Sequence, residues 1–184
     1  NHGGGPINGY GYDEVFGTMF SLETLAMALE NSPFSGNEKL EMIGFDACLM
    51  GSAETAWMLR DYAEYFVASQ EIEYGEGWNF AFLERLGECA NGGELGKLII
   101  ETFFESFEST YDEEMLSTMG LTLSCTDLSK IEAVEQAIDD LFSVVNTDVV
   151  SGNITDVSRC RHRTRSFGKT EGVSDVDMID LVHL

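Results

Sequence analysis

Ile43-Gly44-Phe45-Asp46-Ala47-Cys48-Leu49-Met50-Gly51 is the stretch on which the reading of the fold turns. The apolar run over residues 40–47 predicts a strand. It ends in an acid and a cysteine, and a glycine–serine turn and a helical pattern follow at once. Such a strand delivers a thiol to the edge of a sheet, where open α/β sheets place their chemistry. Side chains two apart on a strand share a face, so Asp46 and Cys48 are expected to point into one space. An acid beside a thiol is half of a site. The glycine-rich start, Asn1-His2-Gly3-Gly4-Gly5, offers the other half.

Working outward, residues 1–20 carry glycines at 3, 4, 5, 9, 11 and 17 and read as a long loop; loops of this kind are usually functional or mobile. Ser21 caps a helix whose Leu22, Leu25, Ala26 and Leu29 fall on one face. Beyond the cysteine the pattern predicts a helix over 53–65, a short strand over 65–69 and an acidic, glycine-flanked loop over 70–78. Helices follow near 80–89 and 94–110, the second with Leu95, Leu98, Ile99, Thr102, Phe103 and Phe107 as a core stripe. Residues 118–124 read as a strand. Asp127 or Ser129 caps a further helix with Ile131, Val134, Ile138, Leu141, Phe142 and Val145 inward. Helices alternating with strands imply a mainly parallel sheet covered by helices.

The chain has 184 residues, enough for one domain with a real core. Its 33 acidic residues against 10 basic ones leave a formal charge of −23. That surface argues against nucleic acid and anionic membrane, and no apolar stretch is long enough to span a bilayer. Cys48, Cys89, Cys125 and Cys160 lack the paired spacing of a zinc site, and Cys89 and Cys125 read as small buried hydrophobes. Arg159, Arg161, Arg163 and Arg165 alternate, with Lys169 beyond, which predicts an extended segment with a basic face. Residues 175–184 alternate acidic and apolar.

Cys48, ending a strand before a tight turn into a helix, has a thiolate that the helix N-terminus would favour. His2 is followed by glycines that let backbone approach a substrate and offer an N–H to an oxyanion. A Cys–His dyad needs little more. His162 and His183 lie in the tail without comparable context.

His2-Gly3 with Asp46-Ala47-Cys48, supported by Gly11-Tyr12-Asp13-Glu14, Ala68-Ser69-Gln70-Glu71 and Gly75-Glu76-Gly77-Trp78-Asn79, resembles the clostripain family of cysteine endopeptidases, in the clan of caspases, legumain and gingipains. The resemblance implies an α/β, caspase-like three-layer sandwich with a mainly parallel central sheet. Residues 1–184 would be the C-terminal portion of a single such domain, with the strands upstream of His2 absent and supplied by an upstream chain or region. It implies Cys48 as nucleophile and His2 as general acid/base, with the N–H groups of Gly3 and Cys48 as oxyanion hole. Substrates would be peptides or proteins with Arg or Lys before the cut, held by Asp46 and by a second acid from the loop over 70–78. Glu76 is the choice by position and Glu73 the alternative. A charge-assisted contact to a bound guanidinium is worth about 1.5–3 kcal/mol.

No cofactor is required for this chemistry. The resemblance carries calcium as a structural or activating ion, with Asp112-Glu113-Glu114 and residues 175–180 as candidate ligands, although no EF-hand spacing occurs. It also places the protein outside a bacterial cell or in its envelope. Relatives in the family often mature by cutting themselves after a basic residue; no Lys or Arg precedes Lys39, so for such processing the 159–169 run or a site before Asn1 is a better candidate than the loop between His2 and Cys48. Two other readings stand beside this one. One is an inactive caspase-like module that binds basic peptides; the other is a thiol hydrolase of another amide or ester.

Overall fold

The computed structural model describes residues 2–34, 38–168 and 176–183. Asn1 of the opening motif, Lys169 of the basic run and Asp175 of the terminal acidic stretch lie outside them. The glycine-rich start is more ordered than a loop. A single turn, α1 (Gly5–Asn8), leads into a hairpin of β1 (Tyr10–Asp13) and β2 (Thr18–Phe20). Asp13 Oδ1 accepts the Val15 and Phe16 N–H groups at 2.8 and 3.1 Å, a turn device that short acidic side chains favour. In α2 (Leu22–Glu30) Ser21 Oγ accepts the Thr24 N–H at 3.2 Å, the expected cap. Leu22, Leu25, Ala26 and Leu29 form its less exposed face.

β3 (Leu40–Gly44), α3 (Ala53–Leu59) and β4 (Ala63–Ala68) make a strand–helix–strand unit. β3 and β4 are parallel, with Met42 opposite Tyr65 and Gly44 opposite Val67. β4 is the middle strand, buried along most of its length. β5 (Ser124–Asp127) pairs with its other edge antiparallel, Val67 opposite Cys125, so the described sheet is mixed. The helix expected over 53–65 stops at Leu59, because residues from Ala63 onward are taken into the sheet.

Residues Phe80–Glu88 wind as a 3-10 helix before α4 (Gly92–Thr110). Asn91 Oδ1 accepts the Glu94 N–H at 3.0 Å, and Glu94 Oε2 accepts the Ala90 N–H at 2.7 Å. The first bond satisfies a donor that the opening helical turn leaves free, and the second ties the residue before the cap to that turn. The predicted stripe faces inward: Leu98, Ile99, Phe103 and Phe107 pack with Val67 of β4 and with Trp78, Phe82 and Leu123. Each such side chain contributes about 1.5–3 kcal/mol by leaving water. Cys89 and Cys125 pack partly buried against this core, in line with their reading as small hydrophobes.

The strand expected over 118–124 begins only at Ser124. Asp112 Oδ1 accepts the Met115 N–H at 2.9 Å and starts α5 (Glu113–Met119), which absorbs Thr118. A good local cap here outweighs the strand preference of threonine. Asp127 Oδ1 then accepts the Ser129 N–H at 3.0 Å, so Asp127 caps a 3-10 turn (Leu128–Lys130) rather than a long helix.

The chain divides into two compact units, Asn1–Ser129 and Lys130–Leu184. In the second, α6 (Ile131–Val150) carries the expected apolar stripe, yet only Ile131 is buried. Phe142 is 51% exposed. α7 (Ile154–Arg163) is the helix packed on α6, and its short, charged surface covers little. α7 also corrects the extended reading of the basic run, since Arg159, Arg161 and Arg163 are helical. Asp156 and Arg159 pair across one turn at 2.8 Å, a helical spacing that alternation in the sequence conceals. β6 (Ser166–Phe167) and β7 (Met178–Ile179) form a small antiparallel ribbon, beside which Arg161 pairs with Asp177 at 2.6 Å.

Candidate active site

β3 ends at Gly44, short of the predicted limit, and Cys48 lies in a turn beyond it. The backbone is still tied to the chain leaving β4. Phe45 N–H donates to the Val67 carbonyl at 2.9 Å, Leu49 N–H to Glu71 at 3.1 Å, and Gly51 N–H to Ser69 at 2.7 Å. Alternation therefore persists: Phe45, Ala47 and Leu49 are buried, while Asp46 and Cys48 between them are partly exposed. Regular strand fails at this point because the chain must reverse. Leu49 has φ 63°, the one positive φ outside glycine among the described residues. That conformation costs roughly 1–2 kcal/mol for a residue with a Cβ, and it persists where burial and hydrogen bonding hold it.

α3 begins only at Ala53, capped by Ser52 Oγ on the Thr55 N–H at 3.2 Å, so Cys48 does not sit at a helix N-terminus as expected. Its sulfur lies instead against the backbone of Glu73. The Glu73 N–H donates to Sγ at 3.3 Å, and the thiol donates to the Glu73 carbonyl at 3.6 Å.

Gly3 is packed directly on Cys48. A Cβ built there would lie 2.0 Å from the Cys48 carbonyl oxygen and 3.1 Å from its nitrogen, so glycine alone fits. His2 is thereby placed one residue from the cysteine peptide, exposed and edge-on to the Tyr12 ring at 6.0 Å between centroids. Two bonds fix the segment, Gly11 N–H to His2 O and Gly4 N–H to Gly9 O, each 2.8 Å. They form the bridge between Gly3 and Tyr10 without using the N–H of Gly3 itself. An open depression of about 670 Å³ is lined by His2, Gly3, Gly4, Asn8, Tyr12 and Met19.

The loop after β4 folds over Asp46. Trp78 N–H donates to Asp46 Oδ1 at 3.0 Å, and Gly77, at φ 62°, leaves room where a Cβ would come within 2.8 Å of that oxygen. Glu73 brings a second carboxyl to Asp46. Its Oε1 accepts the Trp78 Nε1–H at 3.4 Å, and its Oε2 is buried without a partner. Burial above all, then the charge of Asp46, pushes Glu73 up to about 7, although the Trp78 bond works the other way.

Glu76, chosen by position, sits differently: it is exposed and accepts a hydrogen bond from the Tyr111 hydroxyl, which lowers its carboxyl. The structure thus gives Asp46 Glu73 as its carboxyl neighbour. The signal for Glu73 in the sequence is an acid set between Ile72 and Tyr74. Among the described residues no three His, Cys, Asp or Glu side chains come together to hold a metal, and Asp112 of the calcium candidates is engaged in capping α5. His183 Nδ1 accepts the Arg165 N–H at 3.0 Å, and no helix is long and apolar enough to cross a membrane.

The sequence matches the Clostripain family over residues 1–182. The chain belongs to the clostripain family. Clostripain of Hathewaya histolytica is 29% identical over 134 residues, 56% of this chain and 24% of that protein. A clostripain from Bacteroides thetaiotaomicron, solved in complex with the peptide inhibitor BTN-VLTK-AOMK, is 28% identical with a TM-score of 0.52, covering 67% of this chain and 50% of its own. A secreted cysteine protease from the same species, in complex with an irreversible peptide inhibitor, superposes with a TM-score of 0.62 at 22% identity over 77% of this chain and 42% of its own. This clostripain-family chain therefore spans half or less of the length of these relatives. Its α/β fold is the corresponding part of theirs.

Proposed function

We propose that this chain carries the nucleophile and the acid/base of a cysteine endopeptidase that cuts after Arg or Lys. The observation that carries the reading is the packing of Gly3 on Cys48, which joins His2-Gly3 to Asp46-Ala47-Cys48 within one unit. Family membership supports it, as does the Lys that ends the peptide VLTK in the inhibitor of one relative.

His2 takes the thiol proton as Cys48 Sγ attacks the scissile carbonyl carbon, and the carbonyl π electrons move to oxygen. The N–H groups of Gly3 and Cys48 receive that oxyanion, a preorganised donor pair being worth several kcal/mol in the transition state. His2 protonates the leaving amine, the C–N bond breaks, and water then hydrolyses the thioester to regenerate the thiol. Asp46, beside Cys48 on the partly exposed side of the turn, attracts the cationic side chain before the cut, with Glu73 or Glu76 as the second acid. These steps need no metal; calcium enters as a structural or activating ion of the full-length protein, tested by adding a chelator. The outer edge of β3 is where an upstream chain or region would complete the sheet. Secretion is proposed from the secreted relative.

The test uses fluorogenic peptides ending in Arg, Lys or a neutral residue, with the full-length protein and its Cys48→Ala variant. Turnover confined to basic peptides and abolished in the variant is expected. Activity that survives Cys48→Ala overturns the assignment, and indifference to charge transfers it to another thiol hydrolase.

A further inference from the structure

Two carboxyls meet beside the thiol, and among the described residues no side-chain cation pairs with them. Asp46 and Glu73 are neighbours, and none of the ion pairs formed among the described residues includes either. Among the described residues the side chains facing Glu73 are Asp46, from the turn after β3, Cys48 from the same turn, whose sulfur meets the Glu73 backbone, and the neutral indole of Trp78 from its own loop. The positive charge of the chain's amino terminus opposes the upward shift only weakly. Glu73 Oε2 is sealed from water and has no donor. Two ionised carboxylates at such range repel, and a buried acceptor without a partner costs about 1–3 kcal/mol. One proton between the two acids removes both penalties.

We infer that Asp46 and Glu73 share one proton in the empty pocket, and that a cationic substrate side chain enters by displacing it. This rests on the endopeptidase reading above and deepens it: recognition of Arg or Lys becomes an exchange of one cation for another. The O–H bond breaks, its electron pair stays on the carboxyl oxygen, the proton passes to water, and the guanidinium or ammonium N–H groups take its place. A neutral side chain offers no such exchange and leaves the proton where it is. Burial pushes Glu73 up to about 7, which puts the exchange near neutral pH. Substrate affinity then rises with pH. With a group titrating near 7, KM for a basic peptide falls about tenfold between pH 6 and pH 8.

Three measurements on the full-length protein test this. In the Cys48→Ala background, N-acetylarginine amide is titrated by calorimetry at pH 6 in buffers of differing protonation enthalpy. Release of close to one proton is expected with Glu73 present, and about none in Glu73→Gln. In the active protein, the ratio of wild-type KM to Glu73→Gln KM should fall about tenfold from pH 6 to pH 8, while the kcat ratio stays level. Without any change at position 73, infrared spectra at neutral pH should show a protonated carboxyl band that disappears as the arginine amide binds. Equal proton counts, parallel KM profiles or a band indifferent to the ligand overturns the shared proton while leaving the endopeptidase reading intact. Absence of any arginine binding and of any basic-peptide turnover overturns both.

Discussion

Gly3→Ala places a methyl carbon 2.0 Å from the Cys48 carbonyl oxygen, where real Cβ atoms essentially never come closer than 3.0 Å. At least 3.0 − 2.0 = 1.0 Å of separation must therefore open between the two segments. Neither side yields by rotating a side chain, because both partners are backbone. Gly3 is held by the bridge to Tyr10, and the cysteine turn by the N–H bonds of Leu49 and Gly51 to the chain beyond β4. The displacement consequently falls on the spacing between His2 and Cys48. Misplacing reacting groups by 1 Å costs on the order of 10²-fold in rate, equivalent to about 2.7 kcal/mol of barrier.

The assay is kcat/KM on Arg and Lys peptides with the full-length protein, and the expected loss is about 100-fold, mostly in kcat. The alanine retains its N–H, so loss of an oxyanion donor does not confound the result. Gly75→Ala is the control, since a Cβ there meets nothing within 4 Å, and it should leave kcat unchanged. A folded Gly3→Ala protein within threefold of wild type would refute the argument that this contact sets the dyad.

Gly77→Ala should raise KM for basic peptides with little change in kcat, because its φ of 62° and its contact with Asp46 Oδ1 both resist a Cβ; steady-state kinetics checks the split. Phe103→Ala, at a side chain 1% exposed in the core, should cost about 3–5 kcal/mol, read as a lower denaturation midpoint in urea. Asn91→Ala removes the cap of α4 and should cost about 1 kcal/mol in the same experiment. Between pH 5 and pH 8 the wild type should lose stability relative to Glu73→Gln. The folded protein keeps the Glu73 proton up to about 7 while the unfolded chain releases it near 4.5, so stability drains as pH rises through that interval; thermal melts across pH give the sign.

What the sequence disclosed and what it hid follow from range. Ser21 as a cap, the face of α2 and the inward stripe of α4 are local patterns, set by residues a few positions apart, and the parallel β3–β4 pair follows from the strand–helix–strand order. The late start of β5 is hidden because the Asp112 cap competes for Thr118, and the basic run alternates in sequence although Asp156 and Arg159 pair at helical spacing. Apolar spacing in α6 marks a face able to be buried; burial itself depends on what the neighbours offer, and α7 offers little. For the site, the sequence placed His2, Gly3, Asp46 and Cys48 in one neighbourhood, while preferring Glu76 to Glu73 as the second acid.

That last preference shows where pattern stops and packing begins. Glu73 and Glu76 share a loop and a side-chain chemistry, and a sequence cannot weigh one against the other. Trp78 decides between them, since its ring is buried in the core and its backbone N–H is spent on Asp46. With the indole so fixed, its Nε1–H reaches Glu73 and draws that carboxyl inward, whereas Glu76, next to the Gly77 turn, swings out to Tyr111. One acid is thereby desolvated beside Asp46 and the other left in water. The two carboxyls acquire opposite shifts from the same nine-residue neighbourhood in the loop, Glu73 upward by burial and Glu76 downward by its tyrosine bond. On the proposed reading, a cationic side chain gains most from the acid that water does not already screen, which favours Glu73 over Glu76 as the second acid.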